Sequence, residues 1–108
     1  MVRRPVGTET DMTQLAEVAI QDNQERLRYE ASTESGVVAG FAEYEDVLGV
    51  RVFTHTEVDD AFEGQGIGSA LARGALDDVR EHGMRIRPLC PFIRAFVEKN
   101  EEYADLVA

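Results

Sequence analysis

The sequence predicts a single α/β domain in which a mostly antiparallel sheet is followed by a strongly amphipathic helix. The chain has 108 residues, the length of one domain, with no room for a second independent core. Its first half alternates apolar and polar side chains with the period of strands, and its second half changes to the period of a helix. The apolar fraction of 44% is that of a folded globular protein.

Four segments of the first half alternate like strands and are separated by turn residues. The predicted strands are 15–20 at the sheet edge, 26–32, 37–44 and 50–58, and the turns are 22–23, 34–36 and 45–49. Short turns of this kind join antiparallel neighbours. Alternation places Leu27 and Tyr29 on one face of the second strand, and Arg51, Phe53 and His55 on one face of the last.

The second half changes to helical spacing after residue 58. Apolar residues share one face of a helix from about 66 to 82, and Gly83 is a natural end for it. A short strand at 85–89 and a second helix to about residue 99 follow. The apolar side chains expected in the core of this half are Phe92, Phe96, Tyr103 and Leu106. Residues 1–13 show no periodicity, so we expect a flexible leader at 1–13 and a folded domain at 14–108.

The charge balance excludes several classes of partner. Lys and Arg total 11 against 21 Asp and Glu, which gives a formal net charge of -10. Nucleic acids and anionic membrane surfaces need a basic face, so neither is expected as a partner. A single cysteine, Cys90, forms no internal disulfide and no multi-thiolate metal site, which favours a reducing, cytoplasmic compartment.

Three alternate glycines lie between the last strand of the meander and the long helix, in the segment Glu63-Gly64-Gln65-Gly66-Ile67-Gly68-Ser69. Glycine lets a ligand approach the backbone closely, and the free N–H groups of a helix N-terminus favour a phosphate or pyrophosphate. The same segment is also consistent with a turn that only packs the helix on the sheet. A P-loop is excluded because no Lys follows the last glycine. A dinucleotide fold is excluded because the glycines follow a meander.

Four short motifs follow one another along the chain. They are His55-Thr56-Glu57-Val58, Glu63 to Gly68, Pro88-Leu89-Cys90-Pro91 and Glu102-Tyr103-Ala104-Asp105-Leu106. In this order and spacing, from about residue 27 onward, they resemble a short single-domain GNAT-like family of the GNAT acetyltransferase superfamily. Two departures stand out. Glu63 occupies the position where most superfamily members have Arg or Gln, and Asn100-Glu101 the position where the family frequently has His-Pro.

The resemblance implies a fold, a co-substrate and a set of binding residues. The strand after the long helix is expected to run parallel to 55–58 and to splay from it, leaving a V-shaped cleft. Acetyl-CoA is the implied co-substrate, with no metal, and the acceptor is an amine small molecule or a Lys-containing peptide at an open site. The pantetheine arm is expected along Glu57 and Val58. The residues implied in acetyl-CoA binding are Glu57, Val58, Gly64, Gln65, Gly66, Ile67, Gly68, Ser69 and Cys90.

Three residues are candidates for catalysis. His55 is a candidate general base, because histidine is the side chain that most often fills that role, and Glu57 is the second strand-end candidate. Each is also consistent with an ordinary surface role. Cys90 is consistent with a small core residue, but it precedes a helix N-terminus, where a thiolate is stabilised. We favour direct transfer of the acetyl group, with Cys90 lining the cleft. Transfer through a thioester on Cys90 is the alternative route.

Three hypotheses of function therefore remain open. The first is an N-acetyltransferase that moves an acetyl group from acetyl-CoA to an amine. The second is a non-catalytic CoA-binding or protein-interaction module of the same fold, which the expected lack of a closed acceptor pocket keeps open. The third is a plain structural domain without a ligand.

Overall fold

The computed structural model describes residues 17–108, and the leader predicted at 1–13 lies outside them. Five strands form one sheet in the order β1-β2-β3-β4-β5. The elements are β1 (Ala19–Asn23), β2 (Arg28–Ser32), β3 (Val38–Val47), β4 (Val50–Val58), α1 (Ile67–Glu81), β5 (Arg85–Pro88) and α2 (Pro91–Lys99). Short 3₁₀ turns at Asp60–Phe62 and Glu101–Leu106 complete the chain. The α/β prediction is confirmed.

The sheet is antiparallel from β1 to β4, and β5 lies parallel to β4. The predicted antiparallel meander and the parallel pair are both confirmed. β5 pairs with the first half of β4, however, because Val50 lies opposite Arg85 and Phe53 opposite Pro88. The second half of β4, from Thr54 onward, therefore has no partner in β5.

Two predicted turns are wrong in position, and one residue predicted in a strand lies in a turn. Residues 22–23 lie inside β1, and the chain turns at 24–27 instead. Leu27 takes a left-handed φ of 54° in that turn and is exposed, so it does not share a strand face with the buried Tyr29. β3 continues to Val47, so the turn expected over 45–49 is confined to Leu48 and Gly49.

The long helix α1 covers one face of the sheet. It begins after Gly66 and ends before His82, as its periodicity predicts, and its apolar face is fully buried. That face holds Ile67, Leu71, Ala72, Ala75, Leu76 and Val79. The opposite face of the sheet, called the outer face below, carries no helix among the described residues. Neither helix in the described part of the chain is long and apolar enough to cross a membrane.

A buried polar network ties α1 to the sheet. Arg51 is buried, and its Nε and Nη2 each donate to a carboxylate oxygen of Asp46 at 2.7 Å. Its Nη1 donates to the hydroxyl of Tyr29 at 2.7 Å, and that hydroxyl donates to Asp78 of α1 at 2.7 Å. Buried charges are tolerated when paired and hydrogen-bonded in this way. The network therefore fixes the helix against three strands.

Candidate active site

A cleft opens where β4 and β5 separate. The carbonyl oxygen of Phe53 accepts hydrogen bonds from the backbone N–H groups of both Leu89, at 3.0 Å, and Cys90, at 2.9 Å. One acceptor serving two successive donors closes the parallel ladder, and the chain then turns into α2. Beyond this point, β4 continues from Thr54 to Val58 without a β5 partner. The apex of the cleft therefore lies between Phe53 and Cys90.

A β-bulge at Thr54 decides which side chains face the cleft. Glu43 of β3 lies opposite His55, and the next residue, Tyr44, lies opposite Phe53, so Thr54 has no partner of its own. An extra residue of this kind reverses the alternation of the strand. Phe53 is buried under α1, but His55 points to the outer face. The prediction that His55 shares a face with Arg51 and Phe53 is wrong for this reason.

His55 and Glu57 lie together on the outer face. Their side chains are 54% and 61% exposed, and Nε2 of His55 is 3.8 Å from Oε1 of Glu57. The ring of Phe41 packs beside His55, with 6.3 Å between ring centroids. An imidazole next to a carboxylate, both open to solvent, can accept a proton from a bound group and release it to water.

Cys90 lies on the other side of β4. It is buried and immediately precedes α2, and its Sγ is 3.2 Å from the hydroxyl of Thr56. Thr56 stands between His55 and Glu57 in the strand, so its side chain points away from theirs. The structure thus pairs His55 with Glu57 and Cys90 with Thr56, but it does not bring Cys90 to the pair. Thr56 belongs to the motif at residues 55–58, but the sequence alone predicted no role for it.

The glycine segment and the N-terminus of α1 form a second part of the site. Gly64 and Gly66 take left-handed φ values of 79° and 77°, which a residue with a side chain rarely adopts. The first backbone hydrogen bond of the helix runs from Ala70 N–H to Gly66 C=O, at 3.0 Å. The N–H groups of Gly66 to Ser69 precede that bond, no side chain caps them, and no acid lies in the first turn. Glu63 is exposed at the edge of this segment.

Phe92 lies over the same helix turn and was missed as a site residue. We expected it in the core, but its side chain is 41% exposed. A Cβ added to Gly68 would lie 2.8 Å from Cζ of Phe92, so the ring rests directly on that glycine. Phe92 was assigned to the core because it repeats with Phe96 at helical spacing. Its position in the first turn of α2 places it against the first turn of α1 instead.

Tyr103 has a packing role, as predicted. It is buried against Phe96, and its hydroxyl donates to Asp77 of α1 at 2.7 Å. Burial, with this hydrogen bond to Asp77, raises the pKa of Tyr103 above its usual value. Leu106 is also buried. In residues 17–108 no cluster of three or more His, Cys, Asp or Glu side chains is arranged to hold a metal ion.

The sequence of this chain is similar to one family model and to several curated proteins. A family model described as GCN5-related N-acetyl-transferase matches residues 28–106. Protein NATD1 of Bos taurus is 48% identical over 57 residues, which are 51% of this chain and 50% of that protein. Protein NATD1 of Homo sapiens is 44% identical over 57 residues, again 51% and 50%. The match therefore spans about half the length of these curated relatives.

Two solved structures are similar in fold. A GCN5-like protein of Staphylococcus aureus, solved by NMR, has a TM-score of 0.63 and 24% identity, covering 83% of this chain and 87% of that one. The crystal structure of a protein assigned as a phosphinothricin N-acetyltransferase has a TM-score of 0.53 and 22% identity, covering 75% and 53%. At these identities the likeness establishes the fold alone.

Proposed function

This chain belongs to the GCN5-related N-acetyltransferase family, and from that premise we propose that it transfers the acetyl group of acetyl-CoA to a primary amine. The observation that carries the proposal is the uncapped N-terminus of α1, whose Gly68 lies against Phe92 in the helix that begins directly after Cys90 at the cleft apex. A helix N-terminus offers donors to a pyrophosphate, and an open strand edge offers hydrogen bonds to a pantetheine arm. A cytoplasmic location belongs to the same proposal.

The diphosphate of acetyl-CoA is proposed to rest on the N–H groups of Gly66 to Ser69, beside the turn made by Gly64 and Gly66. The N–H of Gln65, also expected there from the sequence, donates to the carbonyl oxygen of Phe62 at 3.3 Å instead. Since residues 63–70 include no Lys or Arg and no acid lies in the first turn of α1, backbone dipoles rather than basic side chains are proposed to provide the attraction. This fits a protein of net charge -10, whose side chains offer little general attraction to a polyanion.

The pantetheine arm is proposed to lie along the open edge of β4 at Glu57 and Val58. The carbonyl oxygen of Glu57 would be 2.8 Å from a Cβ on Gly40, so it points toward β3. Because successive residues of a strand direct their backbone groups to opposite sides, Val58 presents its N–H and C=O to the cleft. The proposed contacts to the pantetheine arm therefore come from the side chain of Glu57 and from the backbone N–H and C=O groups of Val58.

The amine must lose a proton before it attacks, because an alkylammonium has a pKa near 10.4. His55, supported by Glu57, is proposed to accept that proton on the outer face. The nitrogen lone pair then forms a bond to the thioester carbonyl carbon, and a backbone N–H near Val58 stabilises the oxyanion. When the C–S bond breaks, the departing CoA thiolate takes up the excess proton of the attacking nitrogen, so that CoA leaves as the free thiol and the neutral amide forms.

The second route passes through Cys90. Its thiolate would attack the thioester, release CoA and hold the acetyl group as a new thioester, which the amine then attacks. The burial of Cys90 favours the direct route, because a buried thiol in apolar surroundings is usually inert.

A non-catalytic CoA-binding module is the second candidate function. The observation in its favour is the exposure of His55 and Glu57, which no helix covers among residues 17–108. The transferase and the CoA-binding module are separated by measuring acetyl-CoA consumption. The assay follows the release of free thiol in the presence of polyamines or Lys peptides. Amine-dependent release supports the transferase, and binding of CoA without release by any amine supports the module. A chain that does not bind CoA contradicts both.

A further inference from the structure

Phe41 lies in the middle of the outer face, beside His55. Strand pairing holds its backbone from both sides, because Phe41 lies opposite Glu30 of β2 and opposite Glu57 of β4. The ring centroids of Phe41 and His55 are 6.3 Å apart, and the two ring planes are inclined by 56°. Packed aromatic rings usually have centroids about 4.5–7 Å apart. The Phe41 ring therefore forms one wall of the space that the imidazole occupies.

Arg28 holds the Phe41 ring from the other side. Its Cζ lies 4.3 Å from the centroid of that ring, within the range of a cation–π contact. Nε of Arg28 donates to Oε2 of Glu30 at 2.8 Å, and Nδ2 of Asn23 donates to the same oxygen at 3.2 Å. The side chains of Arg28 and Glu30 are only 18% and 15% exposed. Because β2 and β4 flank β3, the ring lies between a fixed guanidinium and the imidazole of His55.

The imidazole of His55 is weakly held by its other neighbours. Its side chain is more than half exposed, and the 3.8 Å from its Nε2 to Oε1 of Glu57 is longer than a hydrogen bond. Thr54, the residue before it, lies in the bulge and has no partner in β3. Exposed side chains change rotamer within nanoseconds. The Phe41 ring blocks this motion on one side of the imidazole.

The orientation of the imidazole matters if His55 removes a proton from the acceptor amine. A general base acts only within hydrogen-bond distance of the proton it takes, at about 2.6–3.2 Å between heavy atoms. A displacement of about 1 Å can lower a rate by about a hundredfold. Fixing the ring beforehand avoids that loss, although holding a long side chain such as Arg28 in one orientation costs conformational entropy.

We infer that Phe41 is a positioning residue for His55, and that Arg28 fixes Phe41 in this role. The inference rests on the proposed function, because it requires His55 to be the base. Cross-strand packing of this kind also stabilises sheets in general. The two roles differ in whether the effect of Phe41 on turnover passes through His55.

A double-mutant cycle tests whether it does. Phe41→Ala is expected to lower kcat by about ten- to hundredfold with the KM for acetyl-CoA unchanged, because His55 is present but no longer held. In a His55→Ala background the same substitution is expected to have no further effect on kcat, since a positioning residue acts only through the residue it positions. Phe41→Tyr keeps the ring and is expected to retain most of the wild-type kcat. Arg28→Lys keeps the charge without the planar stacking group, so a smaller fall is expected.

Val52→Ala is the control for lost packing. Val52 also points to the outer face from β4, because its neighbours Arg51 and Phe53 are buried, but it lies opposite Glu45, away from His55. Phe41→Ala and Val52→Ala are both expected to lower the urea midpoint. Only Phe41→Ala is expected to lower kcat, so a fall that merely follows stability would appear in both variants.

The order of the His55 side chain gives a measurement that needs no catalysis. NMR relaxation of its Cδ2–H bond is expected to show a lower order parameter in Phe41→Ala than in the wild type. His82, the other histidine of the chain, is exposed at the end of α1 and serves as the internal control, with no change expected. An unchanged order parameter of His55, or an equal fall in kcat with and without His55, overturns the inference.

The same variants separate this inference from the proposed base. Wild-type turnover in His55→Ala overturns the base, and the positioning role with it. A large fall in His55→Ala together with an unchanged kcat in Phe41→Ala overturns the positioning role alone.

Discussion

The thiol of Cys90 lies 3.2 Å from the hydroxyl of Thr56, on the opposite side of β4 from His55 and Glu57. A base on the outer face therefore does not contact this thiol. Activation of Cys90 by His55, the arrangement that makes many cysteines nucleophilic, is absent from this geometry. The two routes of acetyl transfer consequently use different residues, and variants can separate them.

Replacing Cys90 by Ala tests the covalent route. Direct transfer predicts that Cys90→Ala keeps most of the wild-type turnover and that the wild type holds no acetyl label after incubation with labelled acetyl-CoA. Thr56→Val is the matched control, because it removes the contact to the thiol but keeps Cys90. An inactive Cys90→Ala that still binds CoA, together with a labelled thioester on wild-type Cys90, would instead establish the covalent route.

Replacing His55 by Ala tests the base. We expect turnover to fall by roughly 10²–10⁴-fold with CoA affinity unchanged, because a general base contributes about that much. The side chain is more than half exposed, so the urea midpoint is expected to stay near that of the wild type. Glu57→Gln is expected to have a smaller effect of the same kind. Unchanged turnover in His55→Ala would remove His55 from the mechanism.

The face of His55 illustrates what the sequence cannot specify. Periodicity predicted β2, β3 and β4 to within three residues, together with the span of α1, because alternation and helical spacing are local properties. The first strand, expected at 15–20, lies at Ala19–Asn23 instead. The bulge at Thr54 is not local: it arises because β3 supplies Glu43 and Tyr44 opposite three residues of β4. A single reversal of alternation moved His55 and Glu57 to the other face. The strand pairing, and not the alternation of the sequence, therefore decides which side chains share a face in the candidate site.

Leu27, Leu48 and Phe92 show a second limit. Both leucines occupy left-handed positions in turns where residue preferences favour Gly, Asn or Asp, so the true turn positions were not predicted. Phe92 repeats at helical spacing, but α2 has nine residues and its first turn lies over Gly68 rather than over the sheet. Apolar spacing predicts a face, and neighbouring elements decide whether that face is covered.

The hydroxyl of Tyr29 is predicted to stabilise the fold. It accepts from Arg51 and donates to Asp78, so Tyr29→Phe leaves the buried Arg51 and the partly buried Asp78 without this partner. We expect the free energy of unfolding to fall by about 1–3 kcal/mol. Tyr44→Phe is the control: its hydroxyl donates to Asp22 alone, so a smaller loss is expected. Urea denaturation measures both, and an equal or larger loss in Tyr44→Phe would contradict this role.

Alkaline pH is predicted to unfold the chain cooperatively. Burial, together with the hydrogen bond to Asp78, raises the pKa of Tyr29 well above its usual value, and burial likewise raises the pKa of Tyr44. A folded-state pKa above the unfolded one means that stability is fully present below about pH 10 and is lost as the pH rises further. Phenolate absorbance is therefore expected to appear together with loss of circular dichroism. Complete phenolate formation in a native fold would contradict the prediction.

The proposed diphosphate site is tested at a glycine that can be matched with a control. At about a hundred times its dissociation constant, CoA should stabilise the wild-type fold by about 2.7 kcal/mol. Gly66→Ala should largely remove this stabilisation, because a methyl group and a shifted backbone then lie where the phosphate approaches the N–H groups of α1. Gly68 is a poor choice, since a Cβ there displaces Phe92.

Gly83→Ala is the matched control for that experiment. Gly83 ends the same helix, takes a similar left-handed φ of 67° against 77° for Gly66, and has open space around its Cβ position. Both variants should lose about 1–2 kcal/mol of stability without ligand, because an Ala at positive φ is strained. Only Gly66→Ala should lose the response to CoA, measured as the shift in urea midpoint on saturation. If both variants keep the full shift, the diphosphate binds elsewhere. If both lose it, the effect belongs to the helix as a whole and not to its N-terminus.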